Sequence, residues 1–224
     1  MIRFLTLATL GILASAETFA DGQLRAGGDI SIQDADTFQL GPLTVRLEGI
    51  DAPETGQTCR KADGTEWLCG KAALRRLAQL IEGQDVECIA VQQDPYGRVV
   101  SKCYVDGIDV SERLITEGLA WAFVEYSDSY VAQESKAKAK GIGIWSGEAQ
   151  APWDYRDDKW ARAVAASPNG CPIKGNINRD GEHIYHTPWA PNYAQTKISE
   201  GRGERWFCDE AEATSEGWRA SRSR

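Results

Sequence analysis

Two runs able to form strands, Val86 to Val91 and Arg98 to Val105, are joined by Asp94-Pro95-Tyr96-Gly97. Asp, Pro and Gly there stand where a type I turn wants them. Cys88 lies six residues before Asp94 and Cys103 five residues after Arg98. A hairpin closed by this turn brings the two cysteines near each other. The middle of the chain is thereby committed to an antiparallel pair, and the elements on either side must pack around it.

Asp29 to Gln33 and Phe38 to Leu40 read as short strands. Leu43, Val45 and Leu47 alternate with Thr44, Arg46 and Glu48, the period of a half-buried strand. The alternation puts Arg46 on the face opposite the aliphatics. A loop rich in Gly, Pro, Thr and Asp follows from Asp51 to Gly64. Gly70 to Glu82 is predicted to be a helix, with Ala73, Leu74, Leu77, Leu80 and Ile81 as its apolar stripe and Gly83 as its stop. Val110 to Glu117 and Ser129 to Lys140 are predicted as two further helices, ended by Gly118 and Gly141. Five strands and three helices in this order suit an α+β domain whose sheet curls into a barrel. The composition changes at Gly147. A short helical run around Lys159 to Ala166 then leads into a separate unit from Cys171 onward. The expected organisation is a signal segment over 1–20, a barrel domain over 21–150, a linker over 151–170 and a small cysteine-containing domain over 171–224.

The signal segment is expected because Arg3 precedes an uncharged run, Phe4 to Leu13, and a small-residue cleavage site, Ala14-Ser15-Ala16. That run is shorter than the roughly 18 residues that spanning requires, so export to the periplasm or the medium is expected, with no stable membrane insertion after cleavage. Six cysteines suit an oxidising compartment. They allow 15 pairings, and the local pattern favours Cys59 with Cys69, Cys88 with Cys103, and Cys171 with Cys208. The net charge of −8 argues against binding nucleic acid by bulk attraction. Residues 17–150 hold 13 Lys/Arg against 22 Asp/Glu, a net of −9, while residues 151–224 hold 11 of each. Clustered carboxylates holding a divalent metal would reverse the sign locally.

Three segments supply such a cluster: Asp34-Ala35-Asp36-Thr37, the run from Arg46 to Glu54, and Asp94 to Arg98. Calcium takes carboxylate, carbonyl and water oxygens in loose geometry. Phosphodiester cleavage needs a cation to neutralise the phosphate and orient water, a base for that water, and cationic forks for the charge that builds. Arginine fits the last task because its donors match two phosphate oxygens at once. Each motif alone reads as an ordinary turn or a solvated strand face, and only their combination in order is informative.

The combination resembles the thermonuclease (micrococcal or staphylococcal nuclease) family across roughly residues 27–147. It does so through DADT (34–37), RLEGIDAPE (46–54), CGKAA (69–73), DPYGR (94–98), LITEGLAW (114–121) and GIWSG (143–147). The resemblance implies an OB-fold, a five-stranded β-barrel with three helices, binding calcium near its mouth. Carried over by position, Asp36 and Asp51 would be metal carboxylates, with the Ala52 carbonyl as a third ligand. Glu54 would be the general base, Arg46 and Arg98 the phosphate-binding arginines, and Tyr96 and Tyr126 the nucleotide-contacting tyrosines. The implied activity is hydrolysis of DNA and RNA with little sugar specificity, and nothing in the sequence suggests more than a monomer. Ala35 stands where the family commonly has Gly, and Ala52 where some members have Thr.

Residues 171–176, 184–186 and 203–213 resemble a small module of bacterial exported proteins sometimes called the sunset domain. Cys171, His183, His186 and Cys208 could be zinc ligands, although a Cys171–Cys208 disulfide suits an exported domain of this size better. The alternative to a nuclease is a noncatalytic OB-fold protein of the cell envelope that binds nucleic acid or polysaccharide.

Overall fold

The computed structural model describes residues 17–18, 23–27 and 30–221. Apart from Glu17 and Thr18, which pair with Arg25 and Leu24 respectively, the expected signal segment lies outside the described residues. The first unit contains β1 (Ile30–Asp34), β2 (Thr37–Leu40), β3 (Leu43–Leu47), α1 (Cys69–Ile81), β4 (Asp85–Gln93), β5 (Val99–Val105), α2 (Val110–Thr116) and α3 (Val131–Ala139). Its sheet runs β4-β5-β3-β2-β1, extended beyond β4 by Gln23–Gly27 and Glu17–Thr18 and beside β5 by Ile108–Asp109. Helices and strands are mixed as expected for an α+β domain of OB-fold type.

Local chemistry accounts for these elements. In β3, Val45 and Leu47 are buried while Arg46 points to the other face, as a period of two requires. In α1, Cys69, Ala73, Leu77 and Ile81 fall four residues apart and bury one face. The β4–β5 hairpin turns at Asp94, whose Oδ1 accepts hydrogen bonds from the Tyr96 and Arg98 amides at 3.0 Å each. Gly97 supplies the left-handed residue there, with φ of 80°. The stretch 51–64, expected as one loop, contains a strand, Cys59–Lys61. It pairs with Glu66–Trp67 on one side and Gly147–Glu148 on the other.

Adjacency in this sheet assembles the site. The parallel β3–β5 pairing sets Arg46 beside Val100, and the antiparallel β2–β3 pairing sets it beside Thr37. The β1–β2 turn, β3 and the β4–β5 turn thus meet at one end of the sheet. Beneath them Phe38, Leu40, Val45, Leu47, Leu77 and Ile81 form part of a common core.

α4 (Pro152–Ala166) follows. It starts well before Lys159, because Pro152 occupies a first-turn position where its missing N–H costs nothing. Residues 151–170, expected as a linker, therefore carry a 15-residue helix. Its Trp153 packs on a cluster made by Cys59, Cys69, Trp121 and Ile144. Its Trp160 packs on a second core made by Ile173, Tyr185, Phe207, Ala213 and Trp218. That second core lies under a sheet of β6 (Ile173–Ile177), β7 (His183–His186), β8 (Arg205–Phe207) and β9 (Arg219–Ala220), in the order β8-β6-β7-β9, with α5 (Glu210–Ser215). Disulfides join Cys59 to Cys69, Cys88 to Cys103 and Cys171 to Cys208. The last bonds Cys171 to Cys208, so neither sulfur is left as a zinc donor.

Candidate active site

The Arg46 guanidinium, rising from the polar face of β3, donates to Asp36 Oδ1 at 2.9 Å and to Asp51 Oδ1 at 3.1 Å. Asp36 Oδ1 also accepts from the Thr37 hydroxyl at 2.8 Å, and its Oδ2 from the Ala52 amide at 3.2 Å. One arginine thus ties the β1–β2 turn to the strand Ile50–Asp51. Burial raises the Asp36 pKa, but Arg46 and the hydrogen bonds outweigh it and hold this carboxyl below its ordinary value. Arg46 is buried too, yet Asp36 and Asp51 raise its pKa and keep its charge firmly in place.

Glu54 is seated by its backbone. A Cβ at Gly70 would lie 1.7 Å from the Glu54 carbonyl oxygen, so only glycine lets α1 pass so close. The Glu54 amide donates to Gln57 Oε1 at 3.2 Å, and Gln57 Nε2 donates to the Gln150 carbonyl at 2.6 Å. The loop that carries Glu54 is therefore tethered to the residues just before α4. Burial, and then the neighbouring Asp34 carboxylate, push the Glu54 pKa well up. Asp34 is raised by burial and then by Asp36, while its Oδ1 accepts from the Ala35 amide at 2.9 Å and the Thr55 hydroxyl at 3.0 Å. Two neighbouring carboxyl groups of like charge each disfavour ionisation of the other.

Arg98 and Tyr96 belong to the hairpin turn. Arg98 Nε donates to Asp94 Oδ2 at 2.6 Å, and the guanidinium lies 5.2 Å from the centre of the Tyr96 ring. Arg98 is thus held at the rim rather than on the carboxylates. Tyr126 is also at the rim, 67% exposed, with Phe123 5.0 Å away and Trp153 stacked on the far side of Phe123 at 5.7 Å. Asp36, Arg46, Glu54, Tyr96, Arg98 and Tyr126 all line one cleft of about 890 Å³. Asp51 is fully buried behind it, and Ala52 is buried beside Asp51.

Two participants were not foreseen. Arg156 of α4 reaches into the cluster, donating to Asp51 Oδ2 at 2.6 Å, Asp51 Oδ1 at 3.1 Å and Glu54 Oε1 at 2.8 Å. It sits in Asp-Tyr-Arg-Asp-Asp-Lys (154–159), a run that reads as a solvated helix face. The second participant is the C-terminal unit, which lends Trp189, Glu210 and Arg219 to the far wall of the cleft.

The four carboxyl groups Asp34, Asp36, Asp51 and Glu54 face the two guanidiniums of Arg46 and Arg156, leaving negative charge in excess. That excess and the hard oxygen donors are the chemistry a divalent cation such as calcium takes. Both Asp51 oxygens are nonetheless engaged by arginine. Among the described residues no group of three or more His, Cys, Asp or Glu is arranged to hold a metal ion.

A buried acidic cluster edged by arginines thus stands at one end of a mixed sheet. Residues 44–147 match the model of the family described as staphylococcal nuclease homologue. Micrococcal nuclease of Shigella flexneri is 30% identical over 180 residues, covering 72% of this chain and 93% of that protein. The chain belongs to the staphylococcal nuclease homologue family. The probable staphylococcal-like nuclease CAN1 of Oryza sativa subsp. japonica is 31% identical over 118 residues, 51% of this chain and 33% of that protein. The succinoglycan biosynthesis protein ExoI of Rhizobium meliloti (strain 1021) is 35% identical over 121 residues, 53% of this chain and 63% of that protein. This chain therefore spans about a third of the first of these two and under two thirds of the second.

Proposed function

We propose that the protein is an exported, calcium-dependent nuclease that hydrolyses phosphodiester bonds of DNA and RNA. The observation that carries this reading is the convergence of Asp36, Arg46, Asp51 and Glu54 into one buried cluster open to a cleft. Asp36, Asp51 and the Ala52 carbonyl would hold calcium, whose charge would neutralise the scissile phosphate. Glu54, ionised, takes a proton from the attacking water as the water oxygen bonds to phosphorus, the ester P–O bond breaks, and the leaving alkoxide takes a proton from solvent water. Arg46 and Arg98 take up the negative charge that gathers on the phosphoryl oxygens. Tyr96 and Tyr126, on the rim, receive the nucleotide. Export rests on the N-terminal sequence and the three disulfides. Among the described residues no helix is long and apolar enough to cross a membrane. The C-terminal unit, read from its sequence as a sunset-type module, supplies one wall of the cleft.

A second reading is a noncatalytic envelope protein that binds nucleic acid or polysaccharide. It draws on the relative named for succinoglycan biosynthesis, and the complete set of charged groups favours catalysis over it. The deciding experiment is degradation of single-stranded DNA and RNA by the mature protein, with calcium and again with a chelator. Calcium-dependent cutting that disappears in Glu54→Gln is the expected result. No cutting by folded protein at any calcium concentration would leave the binding reading.

A further inference from the structure

We propose that Arg156 is a built-in competitor for the catalytic cation, so that the seating of α4 sets how much calcium the site demands. The inference rests on the calcium reading above and deepens it. Arg156 covers both oxygens of Asp51 and one of Glu54, the same face of the cluster a divalent ion would need. A guanidinium carries one positive charge spread over a plane, so it neutralises the four carboxyl groups only in part. A divalent ion bound directly to the oxygens would do so more fully. Two cations on the same Asp51 oxygens repel each other at close range, so binding of the ion disfavours Arg156 there.

The structure shows what holds Arg156 in and where it can go. Trp153, one turn before it, is stacked on Phe123 and packed against the cluster around Cys59 and Cys69. Gln57 links the Glu54 loop to Gln150, just ahead of the helix. The Arg156 side chain keeps 23% of its surface open to the cleft, so it can swing outward without passing through the core. Glu210, whose carboxyl accepts from the Tyr185 hydroxyl at 2.9 Å, lines the same cleft as Arg156 and so offers the released guanidinium a second partner. Because Trp160 of the same helix packs on the C-terminal core, a shift of α4 on cation binding would be felt in that unit as well.

A competitor lowers the apparent affinity by the fraction of molecules in which it is withdrawn. The test compares calcium binding by calorimetry in the parent, Arg156→Gln and Trp153→Ala, each as full-length mature protein. Trp153→Ala loosens the seat of α4 and leaves every charge of the cluster intact, so it carries the test if Arg156→Gln fails to fold. Arg156→Gln should bind calcium tighter by about tenfold or more, with Trp153→Ala changed in the same direction. The melting temperature of Arg156→Gln should fall in chelator and recover with calcium by more than the parent's does. Equal calcium affinity in all three proteins would overturn the competitor role alone. No calcium uptake by any of them, with folded near-ultraviolet spectra, would overturn the calcium reading and this inference with it.

Discussion

Arg46 and Arg98 would serve the same phosphate, yet their surroundings give them different second duties. Arg46 is bonded to two buried carboxylates, whereas Arg98 is bonded only to Asp94 in its own turn. Arg98→Ala should therefore lower kcat about 10²- to 10³-fold, the usual cost of losing one donor to transition-state charge, with little change in melting temperature. Arg46→Ala should also cost about 3–5 kcal/mol of stability, since it strands buried charges. Steady-state kinetics beside thermal melts separates the two, and an equally unstable Arg98→Ala would remove the distinction. Asp34 has a part of its own. Burial and then Asp34 raise Glu54 above its ordinary value of 4.5, and only the ionised form can act as base. The rate should rise with pH along a limb displaced upward from that value. Asp34→Asn removes one cause of the displacement, so the limb should move to lower pH in a kcat/KM profile. A limb that stays put would uncouple the pair. The same raised values mean that the native chain keeps protons the unfolded chain has released. Without calcium, stability should fall as pH climbs above about 4, and Asp34→Asn should soften that fall.

At the scale of elements, the hairpin and the helices to either side were legible because their signals are local. Asp94, Pro95 and Gly97 set a turn, and Leu77 and Ile81 set a buried helix face, whatever lies elsewhere in the chain. Asp36, Arg46 and Asp51 were legible because neighbouring strands carry them and the order of motifs matches a family. Arg156 was not, since it meets Asp51 across a sequence separation of 105. No local pattern tells an arginine aimed at a carboxylate from one aimed at water. The start of α4 was missed because Trp153 and Tyr155 break the polar pattern that marks a surface helix, having a second surface to pack on. The disulfides differ in the same respect. Cys88–Cys103 ties strands already paired residue to residue. Cys171–Cys208 closes a separation of 37 around a core of only five buried residues. Replacing Cys171 and Cys208 by Ser together should cost about 3–4 kcal/mol and release β6 to β9 to hydrogen exchange, while the first sheet stays protected. Uniform loss of protection across both sheets would show that the two cores unfold as one.

For the whole molecule the sign of the charge is the governing fact. A net of −8 repels a polyanion at long range, and a substrate must find its attraction inside the cleft. The arginines lining that cleft are Arg46, Arg98, Arg156 and Arg219, and each is already paired with a carboxylate. Two to four phosphate contacts on a single strand correspond to a log–log salt slope of roughly −1.5 to −3. A protein that binds by a broad basic face makes 6–10 such contacts, for a slope steeper than about −4. The measurement is the Kd of Glu54→Gln protein for a short single-stranded oligonucleotide, at saturating calcium and from 50 to 400 mM salt as rough limits. A shallow slope is expected, because affinity then comes from the bound cation, the cleft arginines and stacking on Tyr96, Phe123 and Tyr126, none of which releases many counterions. A steep slope would place the binding surface outside the cleft, and the C-terminal unit, with its balanced charge, would be the face to search.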